Sequence, residues 1–279
     1  MKIINCHNHS DYSFDIDDGK NPIEKMCKEA ANNGIFAFAI TDHCECNLFN
    51  EHKCETIIPL SIQKTNSLKG KYSNTEIISG VELGQALQSP KNAEFITNIP
   101  NLDFIIGSLH NANGDKDFYD VDFNCEKTTL KKLYENYYTE LFSMAKSTEY
   151  DVIGHITYPF RYYQQAVDKG IIKAGLLNFS EFDEMIFETM KSAIGRGKGI
   201  ELNTSKLDLT INGQLLSQKY LTMYKQIGGE ILSIGSDAHE PCNVTRNLIE
   251  GHNLAKNIGF KYITYFKKRK PIMEKLIDL

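Results

Sequence analysis

Short apolar runs of strand length alternate along the chain with longer stretches that have the apolar spacing of helices. The apolar runs fall at residues 2–6, 35–40, 76–81, 102–109, 151–154, 199–202 and 230–236, with a last run at 262–266. Helices are predicted at about residues 21–33, 56–69, 127–147, 180–195, 214–227 and 243–258. The first helix has Asn21 as its expected N-cap and Pro22 at its first helical position.

This alternation predicts an α/β protein with a parallel sheet, because strands that alternate with helices form βαβ units. Seven such units in succession predict a TIM-barrel-like fold, and a chain of 279 residues is an ordinary length for an α/β barrel. No linker separates the units. We therefore expect residues 1–279 to form a single domain.

Side chains that bind metals or transfer protons follow the apolar runs. Glu82 and Asp237 each lie at the C-terminal end of a predicted strand. Six of the eight histidines lie at or just past such ends, namely His7, His9, His43, His110, His155 and His239. Because the C-terminal strand ends of a parallel barrel converge on one rim, where the active sites of such barrels are built, these residues are expected to meet.

The chemistry of these side chains favours a metal site. His7 and His9 form a His-x-His at the end of the first strand, where alternate residues point to the same face. Taken alone, each histidine is more simply explained as a hydrogen-bonded structural residue, but six at one structural position favour metal binding. Imidazoles and carboxylates without thiolates suit Zn²⁺, Mn²⁺ or Fe better than Mg²⁺ or Ca²⁺. Their number predicts a multinuclear hydrolytic site.

The ordered motifs also resemble those of the PHP family (polymerase and histidinol phosphatase). They are His-x-His-Ser at 7–10, Thr-Asp-His at 41–43, Gly-Val-Glu at 80–82, Gly-Ser-Leu-His at 107–110, Gly-His-Ile at 154–156 and Ser-Asp-Ala-His at 236–239. The resemblance implies a distorted (β/α)7 barrel with two or three divalent transition metals, Zn, Fe or Mn, at the C-terminal rim. The seven units counted above agree with it.

The same resemblance implies a ligand set for each ion. The first ion is expected to bind His7, His9, Glu82 and Asp237, the second to share Glu82 and add His110 and His155, and the third to bind Asp15, His43 and His239. Asp15 departs from the family pattern, since many members have histidine there. Asp11, Asp17 and Asp18 lie in the same loop, so the choice among these aspartates stays open, with Asp15 preferred.

Three cations are candidates for binding a phosphate group. Arg161 follows His155 by six residues, in the loop expected to leave the fifth strand. The segment 154–162 resembles one in histidinol-phosphate phosphatases, although Thr157 replaces the usual aspartate. Lys206 follows a second such segment, 201–205, where these phosphatases tend to have an arginine soon afterwards. Arg246 follows the Ser-Asp-Ala-His motif closely enough to line the site.

The implied activity is hydrolysis of L-histidinol phosphate to L-histidinol and phosphate, in histidine biosynthesis, by a metal-bridging hydroxide. Arg161 would act on the phosphate, and Asp17, Asp42 and His239 are candidate proton donors among which the sequence does not choose. Asp42 can equally orient a ligand. The alternatives are a PHP phosphoesterase for phosphotyrosine or nucleotides, and a non-catalytic, metal-stabilised PHP module. A separate hypothesis is a small zinc knuckle formed by His43, Cys44, Cys46, His52 and Cys54.

Composition narrows the expected partners and location. A net charge of −5 argues mildly against binding of nucleic acids or membrane surfaces, and no apolar run approaches the roughly 20 residues that span a bilayer. Seven cysteines show no disulfide-scaffold pattern, and no signal peptide is recognisable at the N-terminus. We expect a cytoplasmic protein with reduced thiols that binds a small phosphate ester. The sequence leaves the oligomeric state open.

Overall fold

The computed structural model of the protein describes residues 1–276. Its strands are β1 (Ile3–Asn5), β2 (Ile35–Ile40), β3 (His43–Glu45), β4 (Glu76–Gly84), β5 (Phe104–Ser108), β6 (Val152–Ile153), β7 (Gly199–Asn203), β8 (Thr210–Ile211), β9 (Gln214–Leu215), β10 (Leu232–Gly235), β11 (Tyr262–Lys267) and β12 (Lys270–Lys275). Its α-helices are α1 (Ile23–Asn32), α2 (Cys54–Ser67), α3 (Pro90–Thr97), α4 (Lys127–Ser147), α5 (Tyr158–Asp168), α6 (Asp183–Gly195), α7 (Leu216–Gln226) and α8 (Leu248–Ile258). Short 3₁₀ helices span Cys46–Leu48, Phe118–Asp120, Phe179–Phe182 and Pro241–Asn243.

Seven parallel strands form a nearly closed barrel, in the order β1-β2-β4-β5-β6-β7-β10. The last strand returns to the first, since the Cys6 amide donates to the Ile234 carbonyl at 2.7 Å and the Asp237 amide donates to the His7 carbonyl at 2.9 Å. The (β/α)7 barrel predicted from the alternating pattern is thereby confirmed. All seven C-terminal strand ends open on one rim.

A break in one barrel strand creates an extra strand at the rim. β2 pairs with the first half of β4, from Ala37 opposite Glu76 to Ile40 opposite Ser79. After the break at residues 41–42, β3 pairs with the second half of β4, with His43 opposite Glu82. This arrangement, which the sequence did not predict, places His43 and Glu82 side by side.

Several predicted boundaries were wrong. The loop expected to carry Arg161 is the helix α5, and a further helix, α3, was missed. Each of these helices has a proline in its first turn. Proline is tolerated there because the amide groups of the first turn have no hydrogen-bond partner within the helix. Pro22 is the N-cap of α1, one position later than Asn21. The last helix begins at Leu248 instead of residue 243.

The chain after α8 closes the N-terminal end of the barrel. β11 and β12 form an antiparallel hairpin separate from the barrel sheet. Phe266 of the hairpin stacks on Phe104 at the start of β5, with ring centroids 4.9 Å apart. The seven cysteines are free thiols. No helix in residues 1–276 is long and apolar enough to cross a bilayer.

Candidate active site

The first two histidines lie where the barrel closes. Asn8 and Ala238 form a parallel bridge, and the His9 amide donates to the Ala238 carbonyl at 2.9 Å. This pairing continues the line of β1 past its last residue. The rings of His7 and His9 therefore lie on the same side, with centroids 5.0 Å apart.

Glu82 lies at the centre of the histidine cluster. Its carboxylate is fully buried, and its two oxygens face different imidazoles. The distances from Oε2 are 2.8 Å to His43 Nδ1, 3.3 Å to His7 Nε2 and 3.6 Å to His9 Nε2, and those from Oε1 are 2.7 Å to His155 Nε2 and 3.4 Å to His110 Nε2. A carboxylate placed in this way can bridge two cations.

Asp237 contributes the second buried carboxylate. Its Oδ1 lies 3.1 Å from His9 Nε2 and 3.7 Å from His7 Nε2, while the Asn203 side-chain amide donates to Oδ2 at 3.2 Å. Asp237 has a φ of 53°, in the left-handed region that non-glycine residues seldom adopt. Backbone strain of this kind persists where surrounding contacts enforce it, typically at functional sites.

Asp15 is the loop aspartate that the structure places beside histidines. Its Oδ2 lies 3.0 Å from His239 Nε2 and 3.8 Å from His43 Nε2. By contrast, the Asp11 side chain accepts from the Gly19 amide, and Asp17 pairs with Lys20 at the surface. Asp15 and His239 are about one-third exposed, so they form the open side of an otherwise buried cluster.

Opposite charges set the protonation of the cluster. Burial raises the pKa of Glu82, but the neighbouring His43 and His7 hold it well below its ordinary value. Burial also raises the pKa of Asp237, and His7 and His9 hold it well below the usual range. Burial lowers the pKa of His7, yet the carboxylates of Glu201, Glu82 and Asp237 raise it well above its usual value. Both central carboxylates therefore carry negative charge at neutral pH.

The cluster fits a metal centre. Four buried atoms make no hydrogen bond: His7 Nε2, His43 Nδ1, Glu82 Oε2 and His155 Nδ1. His43 Nδ1 and Glu82 Oε2 are close, at 2.8 Å, but are not aligned as a hydrogen bond. Such unpaired atoms are rare, because each costs about 1–3 kcal/mol. Donor atoms within 4.8 Å of one another form three groups, His7–His9–Glu82, His43–Glu82–His110 and His9–His43–His239. Nitrogen and carboxylate donors at this spacing suit Zn²⁺, Mn²⁺ or Fe.

These groups depart from the expected ligand sets. His9 was expected on the first ion, but it also groups with His43 and His239, and the groups do not include Asp15, His155 or Asp237. His43 was expected beside Asp15 and His239, but it also approaches Glu82 and His110. The zinc-knuckle hypothesis gains no support, since no metal-ligand group found in residues 1–276 includes a cysteine. His52 instead stacks on Phe14, with ring centroids 4.0 Å apart.

Arg161 lies beside the cluster. Its guanidinium carbon is 4.3 Å from the centroid of the Tyr158 ring and 5.1 Å from that of Tyr162. Its Nη1 lies 3.9 Å from Asp237 Oδ2, and its buried Nε has no hydrogen-bond partner. A guanidinium with an unused donor is suited to bind an oxyanion.

The other candidate residues lie at different distances from the cluster. A cavity of about 930 Å³ beside Asp15 and His239 is also lined by Asp17 and Arg246. Lys206 is exposed and lines a smaller cavity, next to His155. Asp17 and Arg246 thus share a space with the open side of the cluster, whereas Lys206 lies elsewhere on the rim.

The structure does not bring Asp42 to this cavity. Its carboxylate is buried and accepts hydrogen bonds from the hydroxyls of Ser10 at 2.8 Å, Ser13 at 3.0 Å and Ser61. Ser13 Oγ in turn lies 3.2 Å from His9 Nδ1. This position disfavours proton donation to a substrate and favours the other interpretation of Asp42, that it orients a neighbouring histidine.

Two carboxylates to which the sequence assigned no role also touch the cluster. Glu201 Oε1 lies 2.6 Å from His7 Nδ1, and Glu45 Oε1 lies 3.0 Å from His110 Nδ1. Both glutamates are buried. A signal existed for each: Glu201 is a charge inside the apolar run 199–202, and Glu45 follows His43 by two residues, as in a strand.

Comparison with known proteins shows full-length relatives. A probable histidinol-phosphatase of Clostridium acetobutylicum is 26% identical over 273 residues, covering 96% of this chain and 98% of the relative. A histidinol-phosphatase of Lactococcus lactis is 27% identical over 273 residues, covering 97% and 96%. The crystal structure of histidinol phosphate phosphatase from Lactococcus lactis, complexed with Zn, L-histidinol and phosphate, aligns with a TM-score of 0.77 at 24% identity. It covers 97% of this chain and 99% of that one.

The fold and the motifs agree with a family assignment. Residues 5–205 match the PHP domain, which is well over half of the 279 residues. The match includes the strand ends that carry His7, His9, His43, Glu82, His110 and His155. The chain belongs to the PHP domain family.

Proposed function

We propose that this PHP-family phosphoesterase hydrolyses L-histidinol phosphate to L-histidinol and phosphate. The observation that carries the proposal is the buried cluster of histidines and carboxylates with Arg161, a cation with an unused donor, at its edge. Relatives named histidinol-phosphatase that align with nearly the whole chain support this substrate.

The proposed ligands are His7, His9, Asp15, His43, Glu82, His110, His155, Asp237 and His239. Glu82 would be shared between ions, because its two oxygens face separate sets of imidazoles. Two or three divalent metals, Zn, Fe or Mn, would supply a water nucleophile that is deprotonated near neutral pH and would offset the charge of the phosphoryl oxygens.

Arg161 would bind the phosphate group. Its guanidinium is stacked against Tyr158 and Tyr162, and this contact limits its movement before substrate arrives. Donors fixed in this way need little reorganisation as negative charge develops in the transition state. Arg246, which lines the cavity beside Asp15 and His239, and Lys206, which lines the smaller one, are weaker candidates for the same anion.

The leaving alkoxide needs a proton. Asp17 lines the cavity at the open side of the cluster and can face the leaving oxygen. His239 lines the same cavity, but with Nε2 proposed to bind a metal and Nδ1 bonded to the Asp237 carbonyl it has no N–H left to donate. Asp17→Asn keeps the size of the side chain and removes the acid. If Asp17 is the donor, this variant should lose activity mainly with poor leaving groups, and an equal effect on all leaving groups would exclude it.

The test of the substrate is a comparison of four phosphate esters. Phosphate release from L-histidinol phosphate is measured beside p-nitrophenyl phosphate, phosphotyrosine and a nucleoside monophosphate, with metals counted on the same sample. We expect a preference of about a thousandfold in kcat/KM, or roughly 4 kcal/mol of transition-state binding. Similar slow rates on all four would reject this substrate and leave a PHP phosphoesterase of another specificity.

A further inference from the structure

Four of the six rim histidines bond to the protein through the ring nitrogen that faces away from the cluster. The Nδ1 atoms lie 2.6 Å from Glu201 Oε1 for His7, 3.0 Å from Glu45 Oε1 for His110, 3.2 Å from Ser13 Oγ for His9 and 3.0 Å from the Asp237 carbonyl for His239. For His7 and His110 the partner is a carboxylate. We propose that Glu201 and Glu45 are positioning residues that fix these two imidazoles for metal binding through Nε2.

The reason lies in the chemistry of imidazole. A metal binds the neutral form of the ring, which carries one N–H, and displaces the second proton. A carboxylate that accepts from Nδ1 holds the remaining proton there, so the Nε2 lone pair is the one that binds the metal. Nε2 of His7 lies 3.3 Å from Glu82 Oε2, and Nε2 of His110 lies 3.4 Å from Glu82 Oε1. Each pairing therefore aims a lone pair at the centre of the cluster.

A purely structural role does not account for Glu45. A buried carboxylate is costly unless it is well paired. Within residues 1–276, the hydrogen bond that the Glu45 carboxylate makes is the one with His110, and its Oε2 has no partner. No lysine or arginine of the described chain forms an ion pair with it. The contacts that the Glu45 carboxylate makes are with histidines of the cluster, a hydrogen bond to His110 and a longer approach of 3.6 Å to His43 Nδ1.

Glycines on neighbouring strands make room for both carboxylates. A Cβ atom added at Gly84, the last residue of β4, would lie 2.4 Å from Glu45 Oε2. One added at Gly235, the last residue of β10, would overlap the His7 Cβ and lie 2.6 Å from Glu201 Oε1. Real Cβ atoms do not approach other atoms so closely. The packing of the rim thus accommodates each glutamate in the position that reaches its histidine.

The two glutamates are not equivalent. Glu201 Oε2 also accepts a hydrogen bond from the His155 amide at 2.8 Å. Glu201 therefore holds two histidines, His7 and His155, which the proposed ligand sets assign to different ions. Glu45 forms its hydrogen bond with His110, and His43 Nδ1 lies farther away, 3.6 Å from the same oxygen. Removal of Glu201 should weaken metal binding more than removal of Glu45.

Metal affinity measured without substrate tests the inference. The protein is stripped of metal and titrated with Zn²⁺ in competition with a chromophoric chelator, and Co²⁺ absorption reports ligand geometry. We expect the glutamine variants of Glu201 and Glu45 to weaken binding by about tenfold and the alanine variants by up to about a hundredfold, with the larger loss at Glu201 in each pair, in the range seen for groups that orient metal ligands. The glutamine variant removes the negative charge, and the alanine variant also removes the hydrogen bond, so metal affinity should fall in two steps.

Asp151→Asn is the matched control, because Asp151 is a buried carboxylate at the opposite end of the barrel. It should lower stability and leave Zn²⁺ affinity unchanged. A double-mutant cycle adds a sharper readout: in a His110→Ala background, Glu45→Ala should cause no further loss, to within about twofold.

Two results would overturn the inference. One is that both alanine variants, folded by circular dichroism, bind Zn²⁺ as tightly as the wild type. The other is that Glu45→Ala weakens binding equally with and without His110. The inference rests on the metal centre of the proposed function and not on its substrate, so failure to hydrolyse histidinol phosphate leaves the titration valid. A wild-type protein that binds no divalent metal would overturn both.

Discussion

The two ends of the barrel bury carboxylates in opposite ways. At the N-terminal end, Asp151 accepts a hydrogen bond from Arg269 Nε at 2.6 Å, and Asp103 pairs with Lys69. At the C-terminal rim, Glu82 faces five imidazoles, and one of its oxygens has no hydrogen-bond partner. The buried carboxylates at the N-terminal end are neutralised by lysine and arginine side chains of the protein. The carboxylate at the rim is surrounded by imidazoles in an arrangement that suits a metal cation.

The arginines of the two ends show the same difference. Arg269 comes from the turn between β11 and β12 and completes an ion pair with Asp151. Arg161 stacks on two tyrosines and keeps its buried Nε unpaired. In α/β barrels, residues at the C-terminal end of the strands serve catalysis and those at the other end serve stability. Substitutions at the two ends should therefore affect different measurements.

The largest difference is expected between Glu82→Gln and Asp151→Asn. The first should lower kcat/KM by about a thousandfold, roughly 4 kcal/mol, because it removes the carboxylate proposed to be shared by two ions. The second should leave the rate per folded molecule unchanged. Phosphate release and metal content, measured on both variants, check this. A Glu82→Gln protein with full metal content and activity would remove the distinction between the two ends.

The next largest difference in kcat/KM is expected between lysine variants of the two arginines. Arg161→Lys keeps the charge but loses the fork of donors, so kcat/KM should fall by about a hundredfold, near 3 kcal/mol. Arg269→Lys is the matched change at the other end and should leave kcat/KM unaltered. Kinetics with L-histidinol phosphate, or with p-nitrophenyl phosphate if that ester is preferred, make the comparison. Equal activity of both variants would show that Arg161 does not bind the phosphate.

The free energy of unfolding should be more sensitive to changes at the N-terminal end of the barrel than to changes at the rim. Arg269→Met leaves the Asp151 carboxylate buried without its cation, and because Arg269 is one-quarter exposed we expect a loss of about 2 kcal/mol, less than for a fully buried pair. Urea unfolding of the metal-free protein measures it. Asp151→Asn in the same chain should restore part of the loss. A stability unchanged by Arg269→Met would show that the hairpin does not contribute through this pair.

The sequence allowed most of the barrel to be predicted, since the alternation of apolar runs and helical patterns is local. The histidines could be placed on the rim for the same reason. β3 was missed because it has three residues and follows a break in β2. The contact between His7 and Glu201 joins residues 194 apart and depends on how the barrel closes. The left-handed backbone of Asp237 has no sequence signal.

The smallest effect is expected at His252, a buried histidine away from the rim. Both of its ring nitrogens form hydrogen bonds with backbone groups. Its Nε2 accepts from the Ile4 amide at 3.2 Å, and its Nδ1 donates to the Leu248 carbonyl at 2.7 Å. Burial lowers the pKa of His252 below its ordinary value of 6.5. As pH falls below about 6.5, the unfolded chain takes up a proton that the folded protein excludes.

The stability that His252 contributes should therefore be present above about pH 6.5 and be lost below it, by up to about 1.4 kcal/mol per pH unit. His252→Gln, which does not titrate, should flatten the fall in unfolding free energy between about pH 7 and pH 6 by somewhat less than 1 kcal/mol, since protonation of the unfolded chain is only partial there. Urea unfolding of metal-free protein at each pH measures both slopes. All the other histidines are unchanged between the two proteins, so the difference isolates His252. Equal slopes would mean that His252 titrates alike in the folded and unfolded chains, and that its backbone hydrogen bonds do not hold it neutral.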